Sequence, residues 1–174
     1  MTEVLAHLAA YGAAFLAALL TASAVHKIGA RARLAASAVA LVGVPGAAGP
    51  ILLWAAIVAE LAAAAALIVP AARTAGALAA SLIWALYLAL IVRALAGGRT
   101  RLDCGCNFGR DHPALTAFEP ARNVVLVGFA LAVAAAGRYA PPSAIGLTEG
   151  VAGLAALTLY AAVDQIAPLG EVAR

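Results

Sequence analysis

The segment Asp103-Cys104-Gly105-Cys106-Asn107-Phe108-Gly109 holds both cysteines of the chain. Two thiols one residue apart reach disulfide distance only where the backbone between them bends sharply, and Gly105, lacking a Cβ, permits that bend. A ring so small is strained and easily reduced, and it restrains little of the unfolded chain. Reversible exchange therefore explains the pair better than stabilisation does. Arg99, Arg101 and Arg110 favour thiolate, while Asp103 opposes it. Two other readings stay open: inert small side chains at a helix end, or a soft-metal site in which His112 joins Cys104 and Cys106 without an evident fourth protein ligand.

Glu60 is the second chemical candidate. It interrupts an apolar run about ten residues from its start, which at about 1.5 Å per helical residue is roughly 15 Å deep. An ionisable side chain at such depth costs about 2.5–3.5 kcal/mol on insertion scales and turns to the bundle interior. There it either hydrogen-bonds a neighbouring helix or handles protons or substrate. His26-Lys27 closes the first apolar run. Interface anchoring is the expected role, with proton handling or contact to a quinone as the alternative. His7, Trp54, Trp84, Tyr87 and Tyr160 require no more than packing and interfacial placement.

These residues stand in a chain of 174 residues that is 66% hydrophobic and 11% charged, with a mean hydropathy of +1.02. A soluble domain of this size has no interior large enough for such a composition, whose ordinary values are about 45–50% apolar and about 25% charged. Two cysteines exclude a disulfide-stapled scaffold. The net charge of +3 comes from basic residues scattered between apolar blocks, not from a stripe, which excludes nucleic acid as a partner. The partner implied is the lipid bilayer.

A hydrocarbon core of about 30 Å takes about 20 apolar residues in a helix. The expected fold is an all-α integral membrane protein forming one domain over residues 1–174. Its spans are placed near 4–25, 50–69, 74–93, 122–138 and 143–163, as a four-helix core plus one. Residues 34–44 are too short to cross and read as an interfacial helix after the first span. Residues 94–121 form the cysteine loop. Ala22-Ser23-Ala24 imitates a leader cleavage site, but no basic segment precedes it and the apolar run exceeds the usual about 7–15 residues, so a span is expected.

With five spans, Lys27, Arg31, Arg33, Arg93, Arg99, Arg101, Arg110, Arg122 and Arg174 fall on one face, and Arg73 and Arg138 on the other. The positive-inside bias places the richer face, and with it the cysteine loop, in the cytoplasm. Independently of orientation, His26, Lys27 and the cysteine loop share a face.

Taken together, Ser23-Ala24-Val25-His26-Lys27, Glu60-Leu61, Asp103-Cys104-Gly105-Cys106 before Phe108-Gly109, and Arg122-Asn123 resemble the methylamine utilization protein MauE family, within the wider DoxX-like membrane proteins. The family usually reads Cys-Gly-Cys-Phe-Gly, and Asn107 lengthens that turn here. The resemblance implies a multi-pass bacterial inner-membrane protein for maturation of the methylamine dehydrogenase small subunit. It also implies a thioredoxin-like partner, MauD, and a client whose disulfides form outside the cytoplasm. Carried over by position, Cys104 and Cys106 are the redox pair, with Asp103, Gly105, Phe108, Glu60, His26 and Lys27 in support. An extracytoplasmic client is served most simply by thiols outside, against the charge bias. No cofactor is fixed by these residues, but a chain with one thiol pair has no internal relay, and a quinone is one acceptor that would close the circuit. The rival readings are a soft-metal or small-solute transporter using Cys104, Cys106, His112 and Glu60, and a non-catalytic assembly subunit.

Overall fold

The computed structural model describes residues 2–99, 117–139 and 144–166. Asp103, Cys104, Gly105, Cys106, Phe108 and His112 lie outside the described residues, as does position 143, where the fifth span was expected to begin. Six α-helices follow one another: α1 (Thr2–Gly29), α2 (Arg31–Val42), α3 (Gly49–Ile68), α4 (Arg73–Ala96), α5 (Phe118–Tyr139) and α6 (Leu147–Ile166). Single 3-10 turns at Gly46–Ala48 and Pro70–Ala72 lead into α3 and α4. Among the described residues there is no strand.

Five of the helices, all but α2, are long and apolar enough to cross a membrane. The side chains on their outer surfaces agree with that medium: Leu82, Val125 and Leu159 are 71%, 69% and 68% exposed, which suits lipid and would be costly in water. α1, α4 and α5 overrun the apolar runs that announce them, whereas α6 begins only at Leu147, later than the expected start of the fifth span. α1 continues through His26-Lys27 because neither residue breaks the backbone ladder, and the ladder reaches Ala30 N–H bonded to the His26 carbonyl at 3.0 Å.

α1 is the central helix, packed against α3, α4, α5 and α6. Its buried positions are mostly alanine, among them Ala9, Ala10, Ala13 and Ala17, with Leu16 and Leu20 between them. Small side chains let backbones approach where lipid offers no hydrophobic drive for helix association. Gly153 of α6 meets α1 this way: a Cβ there would lie 2.8 Å from the Ala14 carbonyl carbon. α1, α3, α4 and α5 make the core, and α6 rests on α1 from outside, the four-plus-one arrangement expected.

α2 is closed by Gly43, whose φ of 81° is left-handed and whose N–H bonds the Val39 carbonyl at 2.8 Å. It packs on α3 through Leu34 beside Leu53 and Ile57. The alternation of helix directions gathers the ends of α1, α4 and α6, the starts of α3 and α5, and α2 at one end of the bundle. The opposite end carries His7 of α1, 3.3 Å from Glu149 of α6.

Candidate functional site

Glu60 sits mid-way along α3 and is 1% exposed. Two helices, α1 and α4, supply its donors. Lys27 Nζ donates to Glu60 Oε1 at 2.8 Å, Tyr87 OH of α4 donates to the same oxygen at 2.8 Å, and Ser23 Oγ donates to it at 3.1 Å. Lys27 Nζ also donates to Ser23 Oγ at 2.6 Å. Ser23 and Lys27 are four positions apart, so one face of α1 presents both. The lysine stem runs back over the preceding turn, as helical side chains do, and places its ammonium at the depth of Ser23. The ammonium also lies 5.4 Å from the centre of the Tyr87 ring. Glu60 Oε2 is buried and has no hydrogen-bond partner among the described residues.

The ion pair removes the net charge from the bundle interior. An uncompensated carboxylate or ammonium there would be expelled or neutralised; paired and hydrogen-bonded, both stay in place. Lys27 is 3% exposed, so the expected anchoring of His26-Lys27 at the interface does not describe the lysine, whose ammonium turns inward. His26 is half-buried and belongs to a different face of α1, since neighbours in a helix are rotated by about 100°. It is not among the donors to Glu60.

Beside this cluster lies a cavity of about 280 Å³ between α2, α3 and α4. Leu34, Ala38 and Leu41 of α2 form one wall, at helical spacing, and Ala56 and Ala59 of α3 face Leu90 of α4. Apart from Lys27 and Tyr87 every lining side chain is aliphatic. Leu86 on its rim is 56% exposed, so the space communicates with the lipid-facing surface.

On the other side of Ser23 and Tyr87, a void of about 20 Å³ extends to Arg122, Asn123 and Tyr160. A second buried ion pair stands there: Arg122 Nη1 of α5 donates to Asp164 Oδ1 of α6 at 2.6 Å, with both side chains at most 5% exposed. Asn123 Nδ2 donates to the Glu119 carbonyl at 2.8 Å. Asn123 Oδ1 and Asp164 Oδ2 are buried with no hydrogen-bond partner among the described residues. The void is large enough for about one water.

The family model for the methylamine utilisation protein MauE matches residues 5–137. The chain belongs to the MauE family. The match takes in Ser23, Lys27, Glu60, Tyr87, Cys104, Cys106, Arg122 and Asn123 and ends before α6, so the Arg122 partner Asp164 lies beyond it. No curated protein and no solved structure matches the chain. Membership in the MauE family supports a MauE-like role in methylamine utilisation.

Of the residues singled out from sequence, the fold joins Glu60 and Lys27 and leaves His26 on another face of α1. Cys104, Cys106, Asp103, Gly105, Phe108 and His112 lie outside the described residues. Among the described residues no group of His, Cys, Asp and Glu is arranged to hold a metal ion. Sequence reasoning missed three participants. Tyr87 read as packing, Ser23 as part of a motif, and Asp164 fell just past the expected end of the last span. The four-residue spacing of Ser23 and Lys27 was the available signal for the second. For Asp164 it was a lone acid close to a helix end that needs a basic neighbour.

Proposed function

We propose that this protein is a thiol–disulfide exchange protein of the bacterial inner membrane, in which Cys104 and Cys106 cycle between dithiol and disulfide. The observation that carries the reading is the family match across residues 5–137, which includes the Cys-Gly-Cys segment. α4 and α5, which flank that segment in sequence, have their near ends on the end of the bundle where α1 delivers Lys27.

In the exchange, one thiolate attacks a sulfur of the partner's disulfide and releases the other as a thiolate. The second cysteine then attacks the mixed disulfide, leaving Cys104–Cys106 oxidised and the partner reduced. The reverse sequence, which reduces Cys104–Cys106 and oxidises the partner, runs when the partner's pair has the lower reduction potential, and it is the direction that disulfide formation in a client requires. The partner is thioredoxin-like, as MauD is, and the clients are extracytoplasmic proteins with disulfides such as the methylamine dehydrogenase small subunit. Cys104→Ser and Cys106→Ser should each insert normally yet abolish disulfide formation in the client. The variant keeping the attacking thiol should accumulate a mixed disulfide with the thioredoxin-like partner. Unchanged thiol state of the client in both variants would overturn the proposal.

A further inference from the structure

Lys27 has three N–H donors as an ammonium, of which Glu60 Oε1 and Ser23 Oγ take two. The residue also lines the cavity between α2, α3 and α4. A third donor at the edge of a space otherwise walled by aliphatic side chains and Tyr87 calls for an acceptor within that space. The charge of the ammonium is already balanced by Glu60, so the site favours a neutral acceptor over a carboxylate or phosphate. An acyl chain carries no acceptor. A flat molecule with a carbonyl oxygen on an apolar ring satisfies all of these conditions, and the Tyr87 ring offers it an aromatic surface. The cavity approaches the lower end of small-molecule sites, about 300 Å³, and its rim at Leu86 gives access from lipid.

We propose that this cavity binds the head group of a lipid-soluble quinone, with a ring carbonyl accepting a hydrogen bond from Lys27 Nζ. The choice of a quinone rests on the thiol–disulfide reading above. One dithiol and one quinone give one disulfide and one quinol, two electrons and two protons passing from the sulfurs to the ring. That balance needs no second thiol pair in a chain that has only two cysteines.

The test is titration of the full-length protein in nanodiscs with a short-chain ubiquinone, read as saturable binding above protein-free nanodiscs. Ala56→Phe and Ala38→Phe, which fill the cavity without touching the ion pair, should each weaken binding by about tenfold or more. Val58→Phe, on an exposed part of α3 outside the lining, should leave it unchanged. The double variant Lys27→Met/Glu60→Gln, which removes the donor without stranding a charge, should weaken it as well. Absence of saturable binding, or binding indifferent to both cavity-filling variants, would overturn the proposal. The cysteine variants keep the two proposals apart. Cys104→Ser should bind the quinone normally. Failure to bind with cysteine-dependent client oxidation sinks the site alone, and normal binding with dispensable cysteines sinks the exchange alone.

Discussion

Glu60 Oε1 collects hydrogen bonds from Ser23, Lys27 and Tyr87, and so three helices are tied through one atom. The energetic consequence is asymmetric. Removing the cation leaves a buried carboxylate without its counter-charge, so Lys27→Met should destabilise the bundle by about 3–5 kcal/mol. Adding Glu60→Gln to that variant should restore most of the loss, because a neutral amide does not need the ammonium. Reversible unfolding in mixed micelles would read both, and equal stability of the single and double variants would contradict the pairing. Tyr87→Phe removes one hydrogen bond to a charged group and should cost about 1.5–3 kcal/mol by the same measurement. At the second pair, Arg122→Met strands Asp164 and should again cost about 3–5 kcal/mol, whereas a surface pair would cost under about 1.

Among the five long helices, α6 depends on the fewest contacts. It meets α1 at Gly153 and reaches α5 through Asp164. Gly153→Leu should therefore push α6 away from the Ala14 backbone and lower stability by about 1–3 kcal/mol or more, the usual cost of overpacking. Gly150→Leu, where a Cβ meets nothing within 4 Å, should be close to neutral in the same assay. Comparable losses in the two variants would mean that α6 does not sit on α1 through Gly153. α2 behaves differently: with 12 residues and only Leu34 and Leu41 buried, it covers a cavity instead of filling a core. Its arginine-bearing first turn, Arg31 and Arg33, suits the headgroup region.

At the scale of the molecule, the five crossings place the two termini of the described chain at opposite ends of the bundle. A single cysteine at Glu3 and one at Gly97, each in a Cys104→Ser/Cys106→Ser background, should differ in reactivity towards an impermeant maleimide in intact cells. Labelling of both from the same side would remove one crossing. The distribution of basic residues, nine against two, predicts that the Gly97 cysteine is the one shielded from the reagent.

Hydropathy by itself determined the five helices, the short α2 between the first two crossings, the depth of Glu60 and the grouping of Lys27 with the end of α4 and the start of α5. All of these follow from length and alternation of direction, which apolar runs encode. What the tertiary structure alone decided was rotation about each helix axis. α1 and α4 are apolar on every side, so no periodic stripe announces that Ser23, Lys27 and Tyr87 turn to the same carboxylate, or that Leu34, Ala38 and Leu41 of α2 leave a cavity beside them. Asp164 belongs to Arg122 for the same reason: in lipid, side-chain pairing across helices is fixed by close packing at small residues, and that packing is a property of the assembled bundle.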